Sequence, residues 1–146
     1  RAADACGLLP GRLRLEVTES VLVDNVDAAA ATLRRLKELG ARIYMDDFGT
    51  GYSSLAALHR LPLDGVKVDR SFVRGLDGDA RSRGVLRAVM ALARELGLEV
   101  VVEGVEEQRQ MEALRELGCG FAQGYLFSPA VDGDRLREMM ASGGSW

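Results

Sequence analysis

Two adjacent acidic residues, Asp46 and Asp47, follow the apolar run 41–45 and precede the loop sequence Phe-Gly-Thr-Gly. Paired carboxylates between a buried strand and a glycine-rich loop are typical of a site for a hard divalent cation in an α/β enzyme. Neighbouring side chains point to opposite sides of a regular strand. We therefore expect the backbone to bend here, so that the two carboxylates serve two ions, an arrangement that favours hydrolysis of a phosphoester.

Further polar residues stand at or near the ends of the other predicted strands. In a parallel barrel the carboxyl ends of the strands form one face, so these side chains should converge there. So many like charges repel one another unless a cation joins them, and oxygen ligands without His or Cys favour Mg²⁺ or Mn²⁺ over Zn²⁺. The candidates beside the Asp pair are Glu16, Glu19, Lys67, Asp69, Glu103, Glu106 and Gln123.

The elements that must position these groups alternate between apolar runs and amphipathic segments. The motif Glu-Leu-Gly occurs three times at predicted helix ends, where glycine is favoured because it adopts positive φ. Alternation of this kind predicts an α/β fold with a parallel sheet, either doubly wound or closed into a barrel. No GxGxxG or Walker A motif supports a nucleotide-binding fold. We predict strands at 12–17, 41–45, 65–68, 99–102 and 121–126, and helices at 26–39, 53–61, 71–76, 79–96, 107–117 and 132–141.

Length and composition predict one domain or part of a larger one. The chain has 146 residues, of which 47% are hydrophobic, and a formal net charge of −3 that argues against binding a nucleic-acid polymer. Cys6 and Cys119 lack CxxC spacing and are interpreted as reduced thiols. No signal peptide or membrane-length apolar run is visible, which predicts a cytoplasmic location. Because the chain begins with Arg1, we expect a longer parent protein, which missing regions could tether to a membrane.

Five sequence blocks together resemble the EAL-domain cyclic-di-GMP phosphodiesterases. They occur in the order of that family and extend from Leu15 to Pro129, so the resemblance covers nearly the whole chain. The blocks are Leu-Glu-Val-Thr-Glu-Ser at 15–20, Asp-Asp-Phe-Gly-Thr-Gly-Tyr-Ser-Ser-Leu at 46–55, Lys-Val-Asp at 67–69, Glu-Gly-Val-Glu at 103–106 and Gln-Gly-Tyr at 123–125.

The resemblance implies the C-terminal five β/α units of a TIM-like (β/α)₈ barrel that hydrolyses cyclic-di-GMP to linear pGpG with two Mg²⁺ or Mn²⁺ ions. It implies Glu16, Asp46, Asp47 and Glu103 as metal ligands, with Asp46 bridging both ions. Lys67 would position or polarise the attacking water. The catalytic set would be Lys67, Glu103 and Gln123.

The resemblance also implies supporting residues and partners. Glu19 would anchor the loop after Asp47, through which a homodimer is expected, and Asp69 and Glu106 would support the site. Sensory or GGDEF domains are expected upstream. By itself, Asp69 could instead cap the segment that begins at Ser71.

One departure from the family leaves alternatives open. The Glu-x-Leu-x-Arg strand of the family and its following Asn strand do not occur before Leu13, so residues 1–146 are interpreted as a partial EAL domain that is inactive alone. Glu112-Ala113-Leu114 lies in a predicted helix, and the position of Arg115 does not fit the family spacing. The alternatives are a catalytically inactive cyclic-di-GMP-binding or regulatory EAL module, and an unrelated metal-dependent barrel such as an aldolase or enolase relative.

Overall fold

The computed structural model describes residues 7, 9, 11–18, 26–50, 55–76 and 79–142. Within these residues strands and helices alternate along the chain, as the sequence pattern predicts. The elements are β1 (Arg14–Thr18), α1 (Val26–Glu38), β2 (Arg42–Phe48), α2 (Leu55–Arg60), β3 (Gly65–Val68), α3 (Ser71–Arg74), α4 (Ala80–Glu95), β4 (Glu99–Val102), α5 (Gln108–Glu116), β5 (Phe121–Ala122) and α6 (Gly133–Ala141).

The five strands form one parallel sheet whose spatial order, β1-β2-β3-β4-β5, is also their order in the chain. Each helical connection therefore returns the chain to the next neighbouring strand, as in a β/α barrel. Consecutive strands end at the same edge, which brings the residues after them together. The α/β prediction is confirmed.

The outer face of the sheet packs against the helices in two apolar clusters. The first cluster joins β2 and β3 to α1 and includes Leu33, Ile43 and Val66. The second joins β3, β4 and α5 and includes Val68 and Val102. The two clusters meet at β3, where Val66 belongs to one and Val68, two residues later, belongs to the other.

Helix ends carry the expected caps. The side chain of Asp79 accepts hydrogen bonds from the backbone of the first turn of α4, and Glu107 and Gln110 form a capping box on α5. Gly40 and Gly97 follow α1 and α4 with φ of 87° and 68°, the left-handed conformation that the repeated Glu-Leu-Gly motif predicts. Among the described helices, none combines the length and the hydrophobicity that a membrane crossing requires.

Two details of the prediction are wrong. The sequence of α4 predicts an apolar stripe of Val85, Val89, Leu92 and Leu96. Val89 and Leu92 do pack against the first apolar cluster, but Val85 is 41% exposed and the buried residues of α4 are Leu86, Met90 and Ala93. β5 ends at Ala122, and Gln123 follows the strand instead of lying within it. Beyond Ala122 the chain also pairs with the loop after β4, as the carbonyl of Gln123 accepts from the amide of Val105 at 3.1 Å.

Candidate active site

A bulge at the end of β2 lets adjacent carboxylates reach the same site. Met45 pairs with Val66 and Phe48 pairs with Val68, so Asp46 and Asp47 together oppose the single residue between the two valines of β3. An extra residue on one strand bends it and re-aims its side chains. Asp47 also has φ of 53°, a left-handed conformation that Asp tolerates better than most residues. The bend expected from the Asp pair is thus present inside the strand.

Lys67 lies opposite the bulge and is the centre of the site. Its Nζ lies 2.7 Å from Glu16, 3.0 Å from Asp46 and 2.6 Å from Glu103. The residue is 8% exposed, the only charged residue classed as buried among those that the structure describes. A buried ammonium is costly unless it is paired, and here it pairs with three carboxylates, one from β1, one from β2 and one from the segment after β4.

These carboxylates determine the protonation of Lys67. Burial alone lowers the pKa of Lys67, but the hydrogen bonds from its ammonium to Glu103, Glu16 and Asp46 outweigh burial and raise the pKa above its ordinary value. Lys67 is therefore a cation at neutral pH. It can donate hydrogen bonds and stabilise negative charge, but it holds no free lone pair with which to accept a proton.

The other side of the site is built by the segments that follow β4 and β5. The amide of Glu103 donates to the carbonyl of Val68 at 3.0 Å, and the amide of Gln123 donates to Val102 at 2.8 Å. These bonds extend the parallel pairing by one residue beyond each strand. The side-chain Nε2 of Gln123 then donates to Oε1 of Glu103 at 2.9 Å. Gln123 thereby helps to fix the orientation of the Glu103 carboxylate.

The donor atoms fit a hard divalent cation. Asp46, Asp47 and Glu103 each offer a carboxylate oxygen, and these oxygens lie within 4.8 Å of one another. Glu16 is outside that group of three and joins the site through its hydrogen bond to Lys67. Four carboxylates around one ammonium leave an excess of negative charge, which divalent cations with oxygen ligands would neutralise.

Three further predicted residues lie elsewhere. The Oδ1 of Asp69 accepts from the amide of Ser71 at 2.9 Å, so this carboxylate caps α3, and hydrogen bonding from Ser71 lowers the pKa of Asp69. The side chain of Glu106 is exposed and its amide donates to Gln110. Glu19, the predicted loop anchor, lies outside the described residues. The structure thus gives Asp69 a local role at the start of α3, while the supporting roles remain predictions.

A second polar layer beneath the site was not predicted. The hydroxyl of Tyr44 donates to Glu99, Arg14 lies 3.3 Å from the same carboxylate, and the Arg14 guanidinium lies 5.0 Å from the centre of the Tyr44 ring. Tyr44 is two residues before Asp46, and Glu99 is four before Glu103. Period-two alternation therefore places both on the face that carries the site, which is the signal that could have identified them.

Three further residues, His59, Cys119 and Leu114, lie outside the site. His59 is exposed on α2. Cys119 donates from its thiol to the carbonyl of Phe121, and burial raises the pKa of this thiol, which disfavours the reactive thiolate. Leu114 of the Glu-Ala-Leu sequence is buried in the second apolar cluster, on α5. The position of Leu114 on a helix agrees with the prediction.

Fold and site together define a parallel β/α protein with an oxygen-rich acidic centre at the carboxyl edge of its sheet. Residues 1–130 match the family model of the EAL domain. The chain belongs to the EAL domain family.

Known proteins with similar sequence and structure lie in the same family. The chain is 48% identical over 139 residues to the cyclic di-GMP phosphodiesterase NbdA of Pseudomonas aeruginosa, covering 95% of this chain and 18% of NbdA. The crystal structure of the EAL domain of Mycobacterium smegmatis DcpA superposes with a TM-score of 0.93 at 41% identity, covering 99% of this chain and 65% of that chain. The present chain thus spans less than two thirds of either protein.

A further solved structure bears on the ligands. Klebsiella pneumoniae BlrP1, in a complex with manganese and cyclic-di-GMP, has a TM-score of 0.80 at 35% identity, covering 86% of this chain and 32% of that chain. The barrel-like β/α architecture inferred from the sequence is therefore the architecture of the family.

Proposed function

We propose that this chain forms part of a phosphodiesterase that hydrolyses cyclic-di-GMP to linear pGpG with two divalent cations, Mg²⁺ or Mn²⁺. The observation that carries the proposal is the group of carboxylate oxygens from Asp46, Asp47 and Glu103, which lie within 4.8 Å of one another beside the buried ammonium of Lys67. The similarity of the chain to the cyclic di-GMP phosphodiesterase NbdA and to BlrP1, solved with manganese and cyclic-di-GMP, supports it.

The roles of the carboxylates follow from their positions. Asp46, Asp47 and Glu103 would hold the cations, and Glu16 would join them from β1. Two cations in such a site supply Lewis-acid charge and a nucleophile at neutral pH. The family resemblance would make Asp46 the ligand that both cations share. Asp46 belongs to the group of three, and its carboxylate also accepts a hydrogen bond from the Lys67 ammonium.

Lys67 acts as a hydrogen-bond donor in this proposal. Its raised pKa keeps the ammonium protonated at neutral pH, so it orients an attacking water or a phosphate oxygen and stabilises the charge that develops there. Proton removal from the water must then fall to another group. Gln123 contributes by keeping the carboxylate of Glu103 in place.

The proposal also includes a small-molecule ligand and protein partners. Cyclic-di-GMP carries two phosphodiesters, and a chain of net charge −3 needs cations or local basic groups to bind it. A homodimer through the loop after Asp47, with sensory or GGDEF domains upstream, remains part of the proposal. Equilibrium sedimentation of the full-length protein, with and without cyclic-di-GMP, measures its mass in solution and so tests whether the dimer forms.

The full-length protein that contains this chain provides the test of function. With Mg²⁺ or Mn²⁺ it should convert cyclic-di-GMP to pGpG, as followed by chromatography, and Asp46→Ala should abolish conversion. Asp134→Ala is the matched control. This carboxylate is exposed on α6, far along the chain from Asp46, and pairs with Arg137 in the same helix. Binding of cyclic-di-GMP with no hydrolysis by the unaltered protein would contradict the phosphodiesterase and favour the regulatory module. The 146 residues alone are expected to be inactive.

A further inference from the structure

The segment between Lys67 and α4 lies against both loops that carry the predicted metal ligands. Gly49 follows Asp47 by two residues, and Gly104 immediately follows Glu103. The structure brings one residue of the segment 69–74 against each of these glycines. We call this segment, which contains Asp69 and α3, the wedge.

The first contact is aromatic. The ring of Phe72 fills the space beside Gly49, where a Cβ atom would lie 2.6 Å from the ring Cζ and 2.7 Å from Cε2. The loop at Gly49 can therefore approach the ring only because it has no side chain there. Two residues earlier is Asp47, whose left-handed backbone is held by a turn in which both the amide and the hydroxyl of Thr50 donate to the Asp47 carbonyl.

The second contact involves the backbone of the wedge. A Cβ atom on Gly104 would overlap the Cβ of Arg70 and would lie 3.3 Å from its Cα. Gly104 has φ of 70°, so the loop turns sharply as it leaves Glu103. The wedge thus limits how far the Glu103 loop can move towards Asp47.

The wedge is itself firmly held. Asp69 caps its first turn through the amide of Ser71, and the amide of Phe72 donates to the carbonyl of Asp69 at 3.1 Å. Val73 is completely buried in the second apolar cluster and Leu76 is 3% exposed there. A short helix anchored at both ends is a rigid support for the loops on either side.

We propose that the wedge sets the separation between Asp47 and Glu103, and that Phe72 and Arg70 are positioning residues for the cation site. The inference rests on the proposed function, because it assigns these residues to the predicted metal centre. Metal ligands are commonly held by surrounding residues whose loss lowers affinity without removing a ligand. In this proposal Asp69 supports the site indirectly, because the carboxylate of Asp69 orders the segment that separates the two loops.

Mn²⁺ binding to the full-length protein, measured by the EPR signal of free Mn²⁺, tests the proposal. Phe72→Ala should weaken binding by about 10- to 100-fold, the range for residues that hold metal ligands in place. Phe72→Met should restore much of the affinity, since a long flexible side chain can still reach Gly49. Arg70→Ala keeps the Cβ that meets Gly104 and should bind like the unaltered protein, whereas Arg70→Gly should not.

A general loss of stability is separated by a control away from the wedge. Leu33→Ala removes a buried side chain from the first apolar cluster, so it should lower the melting temperature yet leave Mn²⁺ affinity unchanged. Arg74→Ala, on the exposed side of α3, should change neither quantity. Equal loss of Mn²⁺ affinity in Leu33→Ala and Phe72→Ala would overturn the positioning role.

Hydrogen exchange without metal separates this inference from the proposed function. In Phe72→Ala the amides of 47–50 should exchange faster, because the turn at Asp47 loses its support, while the amides of 42–45 in β2 should not change. Unchanged exchange at 47–50 would overturn the wedge even if the protein binds Mn²⁺. If the unaltered protein binds no Mn²⁺, the proposed metal site fails, and exchange at 47–50 still decides whether Phe72 supports the loop.

Discussion

Gln123 donates a hydrogen bond of 2.9 Å from its side-chain amide to Oε1 of Glu103, the same oxygen that lies 2.6 Å from the ammonium of Lys67. One carboxylate oxygen is therefore bound from β3 and from the segment after β5. The other oxygen of Glu103 remains available to a cation. This pairing orients Glu103 in the proposed centre.

Gln123→Ala should reduce hydrolysis by about 10- to 100-fold, because Glu103 would lose one of the two donors that orient it. The loss should appear as weaker activation by Mn²⁺, with little change in the melting temperature, since Gln123 is not buried. Rates at increasing Mn²⁺ concentration measure this effect. Gln108→Ala, an exposed glutamine on α5, is the control, and equal activity in both variants would contradict the orienting role.

Lys67→Met should reduce turnover by about 10²- to 10³-fold, the cost of removing one charged or hydrogen-bonding group that stabilises a transition state. It should also leave Glu16, Asp46 and Glu103 without their shared cation, so the metal-free protein should be less stable at neutral pH. Calorimetry with and without Mn²⁺ checks this. Mn²⁺ should raise the melting temperature more in Lys67→Met than in the unaltered protein, and an equal increase would contradict the charge argument.

Tyr44→Phe should destabilise the protein by about 1–2 kcal/mol at neutral pH, because Glu99 loses a buried hydrogen-bond donor. Burial and the hydrogen bond to Glu99 raise the pKa of Tyr44 above 10.0. The folded state thus favours the protonated phenol, and its contribution to stability is complete below pH 10.0 and decreases as the pH rises through the folded-state pKa.

Urea unfolding from neutral to alkaline pH measures that difference. The gap in unfolding free energy between Tyr44→Phe and the unaltered protein should be constant below pH 10.0 and smaller above the folded-state pKa. Absorbance at alkaline pH, compared between the two proteins, reports the ionisation of Tyr44 directly. A gap that grows with pH would show that the phenol is not held in its protonated form.

Gly65→Ala should destabilise the sheet by about 1–3 kcal/mol, as overpacking does in well-packed cores. A Cβ at Gly65 would lie 2.6 Å from the carbonyl oxygen of Glu99 and would overlap the ring of Tyr44. Gly84→Ala is the matched control: it lies in α4 with nothing within 4 Å of the added atom, so it should stabilise by about 0.5–1 kcal/mol. Urea unfolding of both variants measures the two changes in unfolding free energy. Similar destabilisation of both variants would contradict the steric argument at Gly65.

The regular parts of this fold could be predicted from sequence because their signals are local. The bounds of β3 and β4 are those predicted, since each is a short valine-rich run between turn residues. The expectation that polar residues at the ends of parallel strands converge also identified Glu16, Lys67 and Glu103, which the structure brings together. Their catalytic and metal-binding roles remain predictions.

The missed features depend on contacts between distant residues. The Asp pair predicts a bend, but its form, a bulge inside β2 with a left-handed Asp47, follows from the pairing of β2 with β3 and has no signature in the sequence. The early end of β5 has the same origin, because Gln123 pairs with the loop after β4. Nor could periodicity indicate that Phe72 would lie against Gly49, since Phe72 is in α3 and Gly49 is in the loop after β2.

The meeting of two apolar clusters at β3 has a consequence for folding. The clusters share α4 as well as β3, because α4 contributes Ala93 to the first cluster and Met90 to the second. Asp46 is on β2, which packs in the first cluster, and Glu103 follows β4, which packs in the second. Lys67, which pairs with both carboxylates, is on β3, and β3 belongs to both clusters. The ammonium of Lys67 can therefore pair with carboxylates on both sides only when the packing of both clusters around β3 is in place.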